Sequence, residues 1–384
     1  MPIRHRARAI AAFRLTIVLG AALLLAACSP GRLDEATLVL ADIDAGFAAT
    51  DLKRTTAPPR RVPIAFSVDG RSREGDLYAP ASEAIDAGLV LVPGLSPDGR
   101  NDARLVALAT TFARSRFAVL VPEIPGLRQM RVGIGDARLI ADAARHLLLQ
   151  HPEKPLAAAA ISFAVGPTVV ALFEPDLRSR VDLLISVGGY YDLNALVGFL
   201  TTGQYRDNPD APWRQQRVNP AGKWVVALSN AERVSNAADR TALRLMATRR
   251  LEDPEAPIDD LVARLGPEGR TVHALLVNDN PEAVPALMAA LPAAAAAEAE
   301  ALDLSRRDLR SLGTRFVLIH GREDPVVPVG ESWRFITALA PDQGELYVVD
   351  AIGHVDRKPL GLIDRLRLLD AVYEVLSVRD GAAD

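Results

Sequence analysis

The chain lacks the features that would indicate a disulfide framework, a metal centre or a nucleic-acid partner. Its 384 residues include a single cysteine, so no internal disulfide can form. The net charge is −4 and no basic stripe is present, which gives no support to nucleic-acid binding. The sequence contains no His-x-x-x-His, no cysteine pair, no dinucleotide-binding glycine motif and no Gly-x-x-x-x-Gly-Lys loop. We therefore expect neither a metal ion nor a cofactor.

Aromatic residues are also scarce, at 5% of the chain, but the remaining composition is that of a globular protein. Apolar residues make up 49% and charged residues 24%. No internal repeat and no low-complexity linker divides the chain. Its length allows one large domain or two of ordinary size.

The N-terminus lacks an apolar run long enough to cross a membrane. The run from Leu15 to Ala27 has 13 residues, fewer than the ~20 that a spanning helix needs. Arginines precede this run and small residues close it, which is typical of a secretory signal. The ending Leu25-Ala26-Ala27-Cys28 resembles the lipobox of bacterial lipoproteins.

That resemblance implies a lipoprotein signal peptide over residues 1–27, acylation of Cys28 and a lipidated tether over residues 28–60. Each acyl CH₂ group adds ~0.8 kcal/mol of membrane affinity on burial, so several chains anchor a protein firmly. By the same resemblance, Ser29 favours the outer membrane, with the protein facing the periplasm. Two other interpretations stay open, a cleaved signal without lipidation and an uncleaved short anchor.

After residue 60, short apolar runs alternate with stretches of helical periodicity. The predicted strands are Val62–Val68, Ser72–Tyr78, Gly88–Val92, Phe117–Val121, Leu156–Ile161, Val181–Val187, Arg315–Ile319 and Glu345–Val349. The predicted helices are Glu35–Thr50, Asp102–Arg114, Gly135–Gln150, Val165–Phe173, Glu331–Leu339 and Leu362–Leu376. Strands that alternate with helices of 10 to 15 residues indicate an α/β protein with a mostly parallel sheet.

Eight strands that open with a hairpin resemble the strand inventory of the α/β-hydrolase superfamily. The resemblance covers roughly residues 60–380. It implies an eight-stranded, mostly parallel sheet flanked by helices, built from residues 61–189 and 313–384. It also implies that residues 190–312 form a helical cap inserted between the sixth and seventh strands.

Ser162 is the predicted nucleophile. The pattern small-x-Ser-x-small occurs around Ser29, Ser162 and Ser229, so the pattern alone is weak. Ser29 has no strand before it, and Ser229 lies in the cap, although Trp224–Leu228 could be a strand before it. Ser162 follows the fifth predicted strand and precedes a helix, where the superfamily places its nucleophile. Alanines stand at both glycine positions of Gly-x-Ser-x-Gly.

An acid and a base are predicted after the seventh and eighth strands. Asp324 follows Arg315–Ile319 and precedes Pro325, a context that resembles that of the superfamily's catalytic acid; the neighbouring Glu323 is a rival. His354 follows Glu345–Val349 and would act as general base toward the serine. The other histidines fit less well because none follows the last strand; they are His5, His146, His151, His273 and His320.

An oxyanion hole needs two backbone N–H donors aimed at the developing negative charge. The resemblance implies that one donor is Phe163, the residue after the nucleophile. The second is expected at Leu95, in the loop after the third strand. There Pro93-Gly94 resembles the family's His-Gly, with proline in place of histidine.

These residues together predict a serine hydrolase, similar to carboxylesterases and lipases or to serine peptidases. It would cleave an ester, thioester or amide bond through an acyl-enzyme intermediate. The expected substrate is a small-molecule or lipid-like acyl compound, and the membrane is an expected partner through the lipid anchor. Two alternatives stay open, an acyltransferase of the same fold and a non-catalytic lipoprotein that binds a ligand. The sequence leaves the oligomeric state open.

Overall fold

The computed structural model describes residues 29–81, 84–353 and 359–381. Its strands are β1 Arg60–Val68, β2 Arg71–Ala79, β3 Ala87–Val92, β4 Phe117–Pro122, β5 Leu156–Ile161, β6 Leu183–Val187, β7 Gln204–Tyr205, β8 Arg214–Gln215, β9 Arg315–Gly321 and β10 Gly344–Val349. The helices are α1 Pro30–Ala45, α2 Asp51–Thr55, α3 Ala103–Arg114, α4 Pro125–Arg128, α5 Ile134–Gln150, α6 Val165–Leu172, α7 Leu193–Thr202, α8 Gly222–Ala231, α9 Ala237–Glu252, α10 Asp259–Val262, α11 Pro267–Leu276, α12 Val284–Ala289, α13 Ala293–Leu302, α14 Gly330–Ala338 and α15 Leu362–Arg379.

Eight strands form one sheet in the order β1-β2-β4-β3-β5-β6-β9-β10. The hairpin β1–β2 is antiparallel, and β2 pairs antiparallel with β4. All other pairs in this sheet are parallel. The predicted α/β-hydrolase fold, with a mostly parallel eight-stranded sheet that opens with a hairpin, is confirmed.

The central strands are covered by helices on both faces. Every residue of β3 and β4 is buried, as their continuous apolar sequences predict. Side chains of β3 alternate between two cores, with Val90 and Val92 facing α5 and α6. Leu89 and Leu91 face the opposite core, to which α1, α3 and α15 contribute.

Residues 30–55 form two helices that pack on this second core. Asp42 on α1 is fully buried and accepts hydrogen bonds from Lys53 Nζ at 2.6 Å, from Thr111 Oγ1 at 2.7 Å and from Thr50. The observed helix differs from the predicted one, Glu35–Thr50. Helix α1 spans Pro30–Ala45, and Thr50 instead caps the start of α2. The segment predicted as a tether, residues 28–60, thus contains a helix packed against the body of the protein.

The chain between β6 and β9 is mostly helical, and we call residues 190–312 the insertion. It contains α7 to α13 and the two-stranded sheet β7–β8. It has its own apolar cluster, which includes Trp224, Leu243, Met246 and Leu275. Among the residues that the structure describes, no helix is both long and apolar enough to cross a membrane.

Candidate active site

Ser162 lies on a sharp turn between a strand and a helix. Strand β5 ends at Ile161, a single 3₁₀ turn spans Ser162–Ala164, and α6 begins at Val165. The φ angle of Ser162 is +60°, which non-glycine residues rarely adopt. Such a backbone costs about 1–3 kcal/mol and persists only where the surrounding structure enforces it. A strained turn with this connectivity is the geometry of a nucleophile elbow.

The helix after the elbow packs closely against the end of β6. A Cβ atom on Gly166 would lie 1.8 Å from Tyr190 Oη, so only glycine fits there. Tyr190 is buried and donates a hydrogen bond to the carbonyl oxygen of Leu302 at 3.2 Å. Burial raises the pKa of Tyr190 well above its ordinary value. The hydroxyl therefore stays protonated and joins the first residue of the insertion to the end of α13, beside α6.

Ser229, the rival serine, lies on a helix. The residues before it, Trp224–Leu228, belong to α8 and not to a strand. Its Oγ accepts a hydrogen bond from the N–H of Val132 at 3.1 Å. The backbone around Ser229 therefore has no elbow, and the hydroxyl instead joins the insertion to the loop before α5.

Asp324 follows β9 and is fully buried, whereas Glu323 beside it is exposed. The Oδ1 atom of Asp324 accepts hydrogen bonds from the N–H groups of Val326 at 2.8 Å and Val327 at 3.0 Å. These two donors fix the carboxylate in one orientation. The burial and the fixed orientation favour Asp324 over Glu323 as the acid of the site.

His320 supports the loop that carries Asp324. Its Nε2 lies 2.8 Å from the carbonyl oxygen of Val327, and its Nδ1 lies 2.7 Å from Ser332 Oγ. A carbonyl oxygen can only accept, so the hydrogen-bond geometry assigns a proton to Nε2. The same Nε2 is 3.8 Å from Asp324 Oδ2. His320 thus acts as a buried structural group beneath the acid.

His354 and Cys28 lie outside the described residues, but the backbone that leads to His354 is described. A Cβ atom on Gly321 would lie 2.2 Å from the carbonyl oxygen of Ile352 and 2.8 Å from that of Gly353. The chain immediately before His354 therefore packs on the end of β9. Asp364 holds this segment by accepting from the N–H of Ala351 at 2.8 Å.

The sheet brings these chain segments to one edge. Strands β5, β6, β9 and β10 are parallel neighbours, and Ile161 pairs with Val187, which pairs with Ile319. The carboxyl ends of parallel strands meet at the same sheet edge, where ligands of such folds bind. Ser162, Asp324 and the backbone before His354 all follow those ends.

The loop after β3 lies against the elbow. Val92 pairs with Ala160, and a Cβ atom on Gly94 would be 3.3 Å from the Ile161 side chain. The next residue in that loop is Leu95, which is half-buried, and Phe163 is buried on the elbow. The loop that carries Leu95 thus lies beside the turn that carries Phe163.

A cavity of about 70 Å³ lies beside Phe163, between the sheet domain and the insertion. Its walls are mostly apolar and include Leu196, Met288 and Leu302. Its polar lining includes Ser229, Asn230 and the ion pair between Arg233 and Glu298. Sequence reasoning missed this cavity, because its walls come from segments far apart in the chain and no local pattern joins them.

Glu331 is a second feature that the sequence did not indicate. Its carboxylate is fully buried and accepts from the N–H groups of Tyr191 at 2.9 Å and Asp192 at 2.7 Å, and it pairs with Arg334 at 2.5 Å. Burial raises the pKa of Glu331 to about 7. Glu331 thus ties the first residues of the insertion to α14, near the site.

No group of three or more histidine, cysteine, aspartate or glutamate side chains in residues 29–81, 84–353 and 359–381 could hold a metal ion. Nothing in this part of the chain therefore identifies a metal centre.

No protein-family model and no curated protein matches the chain. Among solved structures it is similar to the esterase LipA of Xanthomonas oryzae, which degrades rice cell walls, at 12% identity and a TM-score of 0.48 over 82% of this chain and 88% of that one. It is similar to a serine hydrolase of the hydrocarbon-degrading bacterium Cycloclasticus zankles, at 16% identity and a TM-score of 0.44 over 85% and 100%.

A third similar structure is an acylaminoacyl peptidase of Pyrococcus horikoshii, at 14% identity and a TM-score of 0.42 over 84% of this chain. This chain spans only 41% of the length of that peptidase. Likenesses at these identities and TM-scores carry no argument about activity, so the function has to follow from the site itself.

Proposed function

We propose that the protein is a serine hydrolase that cleaves an ester, thioester or amide bond through an acyl-enzyme intermediate. The observation that carries the proposal is the φ angle of +60° at Ser162, on a turn from a buried central strand into a helix. A strained backbone at a serine on the ligand-binding edge of the sheet indicates a functional constraint. A serine with only a structural role does not require this strained backbone.

Ser162 attacks the acyl carbon after His354 accepts the proton from its Oγ atom. Asp324 orients the imidazole and stabilises its charged form, and His354 then returns the proton to the leaving group. The backbone N–H groups of Phe163 and Leu95 stabilise the oxyanion of the tetrahedral intermediate. A water molecule, activated by His354, releases the acyl group from Ser162.

The cavity beside Phe163 supports a short acyl group. Its volume of about 70 Å³ is roughly half that of an engineered apolar cavity that binds benzene, about 150 Å³. An acyl chain of a few carbons fills such a space, whereas a phenyl ring needs the insertion to move. We therefore propose a substrate with a small aliphatic acyl group.

The N-terminal residues complete the proposal. A signal peptide over residues 1–27 directs export, and acylation of Cys28 anchors the enzyme to the outer membrane, facing the periplasm. Support comes from the position of the chain's single cysteine behind a short apolar run. Mass measurement of the N-terminal peptide of the purified protein tests this step.

A fluorophosphonate probe tests the hydrolase directly, because it reacts only with an activated serine. We expect the full chain to be labelled and Ser162→Ala to lose all labelling. Ser229→Ala is the matched control, since Ser229 has the same neighbouring small residues but lies on a helix. Labelling that survives in Ser162→Ala, or disappears in Ser229→Ala alone, contradicts the assignment. A folded wild-type protein that is never labelled indicates a non-catalytic role.

A further inference from the structure

The first turns of α15 expose three large aliphatic side chains next to one another. Leu362, Ile363 and Leu366 are 75%, 64% and 57% exposed. Positions 362 and 366 are one helical turn apart, and 363 is adjacent, so the three form one patch. Arg365 lies among them and is exposed as well. We call these three aliphatic residues the α15 patch.

The chain that carries the proposed lipid anchor is docked on the same helix. The backbone N of Ser29, the residue bonded to Cys28, donates to Tyr373 Oη at 3.0 Å. Farther along α1, Glu35 pairs with Arg379. The earlier residue, Ser29, contacts the earlier position on α15, and Glu35 contacts the later one. The two helices therefore run in the same direction. Ser29 is therefore at the end of α1 nearer to the α15 patch.

The separation between anchor and patch is small. Tyr373 follows Leu366 by seven residues and Leu362 by eleven, which correspond to about 10 Å and 16 Å along a helix axis. Ser29, the residue that follows Cys28 in the chain, is itself hydrogen-bonded to α15. A bilayer that holds the acyl chains of Cys28 therefore lies within reach of the patch.

We propose that the α15 patch inserts into the headgroup–acyl boundary of the membrane that holds Cys28. The proposal rests on the lipid anchor proposed above. Aliphatic side chains with an arginine among them suit this boundary, because the aliphatic groups enter the acyl region and the guanidinium of Arg365 reaches lipid phosphates. A lipid surface thus gives these side chains a partner that the described part of the chain does not supply.

This contact orients the candidate active site. Asp364, between Ile363 and Arg365, binds the backbone after β10 that leads to His354. The patch therefore adjoins the carboxyl edge of the sheet, where Ser162 lies. Tyr373 lies toward the amino edge, because its neighbour Glu374 pairs with Arg315 at the start of β9. A bilayer that contacts both the anchor and the patch therefore runs along α15, with the patch end of this helix nearest to the candidate site.

The test uses the full lipidated chain with one added thiol. Since acylation occupies Cys28, Leu362→Cys supplies a unique site for an environment-sensitive NBD label. The control is Leu149→Cys in the last turn of α5, which packs on the face of the sheet opposite to α15; the side chain is 71% exposed. Each labelled protein is reconstituted in phosphatidylethanolamine–phosphatidylglycerol vesicles with and without lipids brominated near the headgroup. Fluorophosphonate labelling of each variant reports that the site is intact.

We expect brominated lipid to lower the emission of the label at position 362 at least twofold and to leave the label at 149 unchanged. Adding Leu366→Asp should restore the emission at 362 while the protein still floats with the vesicles. If brominated lipid changes the emission equally at both positions in protein that floats with the vesicles, the membrane contact of the patch is overturned and the lipid anchor stands. A label at 362 that is shielded but insensitive to bromine means that a protein copy covers the patch, which also overturns the proposal. Protein that does not float overturns the anchor together with this orientation, whereas the hydrolase proposal is judged by fluorophosphonate labelling alone.

Discussion

The backbone strain at Ser162 can be measured by comparing alanine with glycine at that position. Ser162→Ala keeps a Cβ atom in a backbone with φ of +60°, and Ser162→Gly removes it. Both variants lose the hydroxyl and its interactions, so a comparison between them cancels that loss. The remaining difference in the free energy of unfolding has three sources: the backbone strain, the buried methyl group and the greater freedom of glycine in the unfolded chain.

A second position isolates the strain from the other two effects. Ala164 is also buried, but its φ angle is −69°, an ordinary helical value. Replacing alanine by glycine there removes the same methyl group and adds the same freedom, without relieving strain. A left-handed backbone costs an L-residue roughly 1–2 kcal/mol. The change from alanine to glycine should therefore be about 1–2 kcal/mol more favourable at position 162 than at position 164.

Equilibrium unfolding in urea measures this difference. At Ala164 the change to glycine should lower the free energy of unfolding by about 0.5–1 kcal/mol or more. At position 162 the glycine variant should be as stable as the alanine variant or more so. Both variants at 162 should be inactive, which separates the stability effect from catalysis.

Equal effects of glycine at the two positions would refute the reasoning. Such a result would mean that the turn at Ser162 is not strained in solution. The proposal that the fold holds this serine in an enforced geometry would then lose its main support, even if Ser162 were still labelled by a fluorophosphonate.

Three further predictions concern buried groups and the cavity. Because burial raises the pKa of Glu331 from 4.5 to about 7, the native state binds its proton more tightly than the unfolded state. The protein should therefore lose about 3 kcal/mol of stability as the pH rises from 4.5 to 7, and Glu331→Gln should remove that part of the decline in urea unfolding. Met288→Ala enlarges the cavity and should shift kcat/KM about tenfold toward p-nitrophenyl esters with one or two more carbons; an unchanged chain-length profile contradicts the acyl site. Asp42→Ala leaves Thr111 and Lys53 without their buried acceptor and should lower stability by about 1–3 kcal/mol, with no change in kcat.

The sheet was predictable because its strands carry their signal locally. Strand β5 has the bounds predicted for it, Leu156–Ile161, and β3 and β4 differ from the prediction by one residue. Strands buried on both faces are continuous apolar runs, which sequence alone displays. The α/β-hydrolase fold then follows from the order of strands and helices, because few topologies join so many parallel neighbours.

The insertion and the N-terminal helices were less predictable because tertiary contacts decide them. The apolar residues of Trp224–Leu228 fit a strand or a helix, and packing inside the insertion selects the helix. Asp42 is a polar residue at a fully buried position, which no amphipathic pattern anticipates. Glu331 can likewise be buried because its carboxylate accepts hydrogen bonds from the backbone N–H groups of Tyr191 and Asp192. These two residues lie about 140 residues earlier in the sequence.

The alanines around Ser162 follow from where the close approaches occur in this structure. Ala160 and Ala164 are fully buried, and both methyl groups belong to the core on the α5 and α6 side of the sheet. Glycine at either position would leave part of that core unfilled. The tight contact lies two residues farther on, at Gly166, where Tyr190 Oη occupies the place of a Cβ atom. Glycine is thus required in the first turn of α6 and not at the strand-to-helix turn that carries Ser162. The departure from Gly-x-Ser-x-Gly is therefore compatible with a strained nucleophile turn.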